Sequence, residues 1–126
     1  MVEQLNKIKC IPCEEGAAPL NDAEINELLP QVTGWEVQPM EKDGHQIKAL
    51  QKSFRFRNFR LVMAFLRDVE EIAETEGHHP DFCVHYSLVE FTIWTHAISG
   101  LHKNDFIIAS RINEIFDSRW YDGEKS

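Results

Sequence analysis

Between Asn58 and Glu76 the apolar residues Phe59, Val62, Met63, Leu66, Val69 and Ala73 recur at intervals of three and four. Arg60, Arg67, Asp68, Glu70, Glu71 and Glu74 take the other side. That period marks an amphipathic helix with one face to bury. Gly77 follows where a helix would end in a left-handed residue, and Pro80 forbids its continuation. A helix with a single apolar stripe needs a second layer to cover it.

The flanking segments supply that layer. Gly34 opens the strand candidate "WEVQPM", and after the turn-like "EKDG" (41–44) comes "HQIKALQKSFRF". In the latter, Ile47 and Ala49 and later Phe54 and Phe56 suggest alternation with a slip near Gln51. Beyond Pro80, "DFCVHYSLVEFTIWTH" reads as a second hairpin, with Val89, Phe91 and Ile93 alternating against Glu90, Thr92 and Trp94. Asn21 or Asp22 caps a short helix through "AEINELL" that Pro30 closes. A last helix from about Asn104 to Asp117 buries Phe106, Ala109, Ile112 or Asn113, and Ile115 with Phe116. The order α-β-β-α-β-β-α predicts an α+β domain of two layers, a four-stranded antiparallel sheet with helices on one face. We expect that domain over residues 20–118, an N-terminal arm over 1–19, and a C-terminal tail over 119–126 whose "YDGEKS" frays.

With 126 residues, 43% hydrophobic and 27% charged, the chain has the composition of one globular domain. Its formal net charge is −8, and the basic residues are scattered apart from Arg55, Arg57 and Arg60, which we assign to the solvated side of a strand and a helix start. Direct nucleic-acid binding is therefore disfavoured. The longest apolar runs are too short to span a bilayer, "MVEQLNKIK" has no signal-peptide core, and three cysteines make no disulfide framework. A cytoplasmic protein without membrane contact is expected.

The candidate chemistry lies in "ETEGHHPDFCVHYSLVEFTIWTHAISGLHKND", which holds five of the six histidines. If the hairpin turns around Ser87, position 96 lies opposite 78, or opposite 79 if the turn slips by one. His78, His79 and His96 would then line one mouth. Glu74 stands four positions before His78, so its carboxylate would lie beside that imidazole. Imidazoles titrate near neutral pH and can both give and take protons. "HHP" equally suits a capping turn at a helix C-terminus. His45 and His85 read as solvent-facing and His102 as incidental. Three histidines with Cys83 could make a zinc set, but neither H-x-E nor H-E-x-x-H spacing is present. Cys10 and Cys13 have C-x2-C spacing without a second pair.

The pattern Glu74-x3-His78-His79-Pro80-x5-Tyr86-x9-His96-x8-Asp105, together with "FRFRNFRLVMAFLRDVEEIAE" and "THAISGL", resembles the signature of the pterin-4a-carbinolamine dehydratases over roughly residues 20–118. The resemblance implies dehydration of 4a-hydroxytetrahydropterin to quinonoid dihydropterin, a homodimer or homotetramer, and neither metal nor cofactor. It implies His78 and His96 as the acid–base pair, with His79 binding the pterin and assisting. Glu74 and Asp105 would orient the imidazoles. Pro80, Asp81, Phe82, Trp94 and Thr95 join His79 as candidate contacts to a planar pterin. Family members often carry Trp at Phe82, Asn at Val84 and Ser87, a small polar residue at Trp94 and an acid at Ala97. The resemblance also brings a role beside an aromatic amino-acid hydroxylase, and two alternatives: a coactivator or dimerisation module, and pterin chemistry in molybdenum-cofactor metabolism.

Overall fold

The computed structural model describes residues 4–11 and 18–118. The expected "YDGEKS" tail and Cys13 of the C-x2-C pair lie outside them. The elements are α1 (Asp22–Leu28), β1 (Glu36–Lys42), β2 (His45–Arg55), α2 (Phe59–Glu76), β3 (Asp81–His85), β4 (Leu88–Ile93) and α3 (Lys103–Ser118), with 3-10 turns at Leu5–Lys7, Leu29–Gln31 and His96–Ile98. One antiparallel sheet runs β1-β2-β4-β3, and the helices pack on it. The expected α+β architecture holds.

Local chemistry sets the boundaries. Asn21 and Glu24 form a reciprocal capping box, each side chain accepting the other's backbone N–H at 2.8 Å. Asn58 caps α2 by accepting from the Leu61 N–H, and Gly77 ends it at φ 66° and ψ 29°. The β1–β2 turn uses Asp43 and Gly44, both at positive φ, as a two-residue hairpin of right-handed twist requires.

Two packing details depart from expectation. β2 keeps one register along its length, from Lys42↔His45 to Glu36↔Gln51 on one side and from Leu50↔Ile93 to Arg55↔Leu88 on the other. There is no slip near Gln51. The alternation blurs because Ala49 and Leu50, on opposite faces, are both fully buried. On α2 the buried stripe is Leu61, Val62, Phe65, Leu66, Val69 and Ala73, whereas Phe59 and Met63 are exposed. Leu61 and Phe65 fit the same three-and-four spacing, and Phe65 wins the core because it meets Phe54, Phe56, Phe91 and Phe116 at ring separations of 5.0–6.0 Å. Full burial of such a ring contributes about 2–3 kcal/mol.

Candidate active site

The Gly77 turn decides where the two adjacent histidines go. Because the helix stops at Glu76, the spacing of four from Glu74 to His78 no longer puts the two on one helical face. His78 turns inward, and its Nε2 lies 2.6 Å from Asp105 Oδ1. His79 takes Glu74 instead, with Nε2 2.7 Å from Oε2. The expected Glu74–His78 pairing is thereby corrected to Glu74–His79. A carboxylate only accepts, so each Nε2 donates and each Nδ1 is left for other work.

Asp105 is the hub. Its side chain is fully buried, and besides His78 it accepts from the Thr95 hydroxyl and the His102 backbone N–H, both at 2.8 Å to Oδ2. Three donors on two oxygens give a buried carboxylate the partners it needs. Its place in the first turn of α3 adds the favourable end of the helix dipole. His102, read as incidental in the sequence, is the residue before that helix. Its Nδ1 accepts from the Asn104 N–H at 2.9 Å while its own N–H goes to Asp105, an N-cap with imidazole in the place of a hydroxyl. Burial lowers its pKa from the usual value, with Asp105 opposing and His78 reinforcing. The signal available in the sequence was position: "GLHKND" puts His102 three residues before Asp105, the spacing of a cap and its partner.

His96 arrives by another route. The β3–β4 ladder runs from His85↔Leu88 to Asp81↔Thr92, one residue away from the expected register, and β4 ends at Ile93. Position 96 therefore has no place opposite 78 or 79 on a strand. It starts a 3-10 turn closed by the Thr95↔Gly100 bridge, exposed, with its ring stacked on Trp94 at 3.8 Å and 17°. Its link to His78 runs through its neighbour Thr95, whose hydroxyl holds Asp105. Trp94 is buried, and its Nε1 has no hydrogen-bond partner.

The candidate pterin contacts divide into two groups. His79, Pro80 and Phe82 line a cavity of about 390 Å³ with Met63, Leu66 and Val84. Asp81, exposed, pairs with Thr92 on the face opposite Phe82, and Trp94 and Thr95 lie beyond β4. His45 and His85 are exposed, as read. Among the described residues no three His, Cys, Asp or Glu side chains are grouped to hold a metal ion, and no helix is long and apolar enough to cross a membrane.

The model of the pterin 4 alpha carbinolamine dehydratase family matches residues 18–115. The chain belongs to that family. Two curated relatives, each named "Putative pterin-4-alpha-carbinolamine dehydratase", come from Chlorobium luteolum and Rubrobacter xylanophilus. The first is 43% identical over 113 residues, 90% of this chain and 96% of the relative. The second is 40% identical over 114 residues, 90% of this chain and all of the relative. Among solved structures, the transcriptional coactivator/pterin dehydratase from Brucella melitensis superposes with a TM-score of 0.66 at 31% identity, covering 77% of this chain and 97% of its own. A pterin dehydratase-like protein described as a RuBisCO assembly factor in the alpha-carboxysome shares the fold at a TM-score of 0.55 and 20% identity, covering 71% of this chain and 96% of its own.

Proposed function

We propose that this family member is a 4a-hydroxytetrahydrobiopterin dehydratase, eliminating water from 4a-hydroxytetrahydropterin to give quinonoid dihydropterin in tetrahydropterin recycling. In that reaction the C4a–O bond breaks as the oxygen takes a proton, and a ring nitrogen gives one up. Hydroxide is a poor leaving group, so an acid must meet the oxygen and a base must meet the ring proton. His78 and His96 are assigned those two tasks, and His79 holds the pterin and assists. The observation that carries this reading is the buried Asp105, which fixes the ring of His78 through Nε2 and leaves Nδ1 for the substrate. Pro80, Asp81, Phe82, Trp94 and Thr95 are the proposed surroundings of the pterin, which stands beside an aromatic amino-acid hydroxylase in a cytoplasmic pathway and needs no metal.

The test is to generate 4a-hydroxytetrahydropterin in situ and follow its dehydration by absorbance with chelator-treated protein. Turnover that survives chelation and collapses in His78→Ala and His96→Ala supports the assignment. A rate no faster than the spontaneous one, or unchanged in both variants, overturns it.

A second reading rests on a separate observation. Phe59, Met63 and Phe82 are exposed large apolar side chains on α2 and the edge strand β3, and Met63 and Phe82 line the 390 Å³ cavity. Exposed apolar surface of this kind marks an interaction site. It suits a homo-oligomer, dimeric or tetrameric, and equally a protein partner in a coactivator role such as that named for the Brucella protein. Light scattering on Met63→Lys separates the two: loss of mass points to copies of this chain, and unchanged mass with loss of a captured protein points to a partner.

A further inference from the structure

The segment ahead of the family-matched residues is fastened to the two residues that flank the His78–Asp105 pair. Residues 5–11 run along α3. Leu5 is buried in the core with its N–H donating to Gln31 Oε1 at 2.9 Å, and the Asn6 amide reaches Glu114 at 2.9 Å. At the other end the Cys10 N–H donates to Glu76 Oε1 at 2.8 Å. The Asn104 amide brackets Ile11, accepting its N–H at 3.0 Å and donating to its carbonyl at 2.6 Å. Glu76 stands two residues before His78, across the Gly77 turn, and Asn104 immediately precedes Asp105.

Both anchors are themselves buried, Glu76 with 6% of its side chain exposed and Asn104 with 3% of the residue exposed. Buried polar side chains need partners, and the arm's backbone is what meets most of their hydrogen-bonding capacity. Arg111 is the other partner of Glu76, at 3.4 Å. The Cys10 thiol reports the same enclosure, since burial, then Glu76, then Asp105 push it up to about 12 against the pull of Arg111. A bidentate amide on one side and a carboxylate on the other tie the last turn of α2 to the first turn of α3 through a third strand of chain.

We propose that residues 5–11 form a strap that positions the His78–Asp105 pair, acting through Glu76 and Asn104. Glu76 and Asn104 are positioning residues, and the inference rests on the dehydratase reading only for its kinetic consequence. Without the strap, the Gly77 turn and the start of α3 lose their shared support, and the 2.6 Å contact between them loosens. Misplacement of a catalytic group by a fraction of an ångström is enough to slow an enzyme.

Ile11→Pro deletes the N–H that Asn104 Oδ1 accepts and changes no side chain of the site, with Ile11→Val as the control. Leu5→Ala loosens the far end of the same strap. Two readouts are taken on folded, full-length protein: the proton resonance of His78 Nε2–H with its water exchange, and kcat against KM for 4a-hydroxytetrahydropterin. The strap predicts faster exchange and a moved resonance in Ile11→Pro and Leu5→Ala. It also predicts kcat lower by roughly tenfold with KM little changed, and wild-type behaviour in Ile11→Val. An unmoved His78 resonance in variants whose Cys10 amide, and in Leu5→Ala also the Ile11 amide, has lost protection overturns it, whatever happens to thermal stability. Absence of turnover in the wild type overturns the dehydratase reading instead, and the resonance still decides the strap.

Discussion

Two adjacent histidines hold two carboxylates at nearly the same distance, 2.6 Å for His78–Asp105 and 2.7 Å for His79–Glu74, yet the pairs differ in everything else. The His78 side chain is 13% exposed and that of Asp105 not at all, against 58% and 72% for His79 and Glu74. An exposed pair keeps the alternative of water and is worth little. A buried pair has no such alternative, and removing one partner strands the others. The buried pair is therefore part of the architecture, while the exposed one stands where His79 lines the cavity.

The hardest blow to that contrast is Asp105→Ala. It strands the Thr95 hydroxyl, the His102 N–H and the His78 ring together, and should cost about 3–5 kcal/mol of stability with a kcat loss of roughly 100-fold or more. Urea unfolding and the dehydration assay measure the two effects. Glu74→Gln is its counterpart: a stability change under about 1 kcal/mol, with the kinetic effect mostly in KM because His79 is assigned to binding. Equal stability losses in the two variants would erase the distinction drawn from burial.

The same contrast explains what could be read from the chain. The α2 period, the Asn21 cap, the turn around Asp43 and Gly44 and the Gly77 stop are local signals, and the structure uses each one. What failed was non-local. The partner of His78 could not be had from helical spacing, because a left-handed residue between Glu74 and His78 breaks that spacing. The His96 register depended on extending a ladder that in fact ends at Asp81↔Thr92. Phe65 displaced Met63 from the core because four other rings meet it there, Phe54 and Phe56 from around the end of β2, Phe91 from β4 and Phe116 from α3. His102 is the exception, a local signal that went unused: its partner Asp105 stands only three residues on.

His102 offers a milder test, through pH. Its folded pKa lies below the ordinary 6.5, chiefly because it is buried, so the folded protein resists taking its proton while the unfolded chain accepts it. The contribution is fully present above the unfolded value and is lost as pH falls through the folded one. Protonation also turns the Nδ1 acceptor of the Asn104 N–H into a donor. Thermal unfolding between pH 7.5 and 5 should show stability declining on the acid side, and His102→Asn, which keeps an accepting cap, should flatten that limb. An unchanged slope in the variant would place the acid sensitivity elsewhere.

The gentlest perturbation sets Cys10 against Cys83, a buried-side and an open-side group like the two histidine pairs. Cys83 is exposed on β3, whereas Cys10 is half-buried within the strap with its pKa raised from 9.0 to about 12. The thiolate is the nucleophile, so a thiol held protonated reacts only when its segment opens. At pH 8, peptide-mapped alkylation should label Cys83 first and Cys10 at a rate set by detachment of residues 5–11. Ile11→Pro should speed Cys10 and leave Cys83 alone. The raised value also has a linkage sign: its stabilising share is intact below pH 9 and drains away as pH climbs toward 12, because the unfolded chain ionises first. Comparable labelling of both thiols in the native protein would mean that the strap is open much of the time, and the buried side of the site would then owe its order to Asp105 alone.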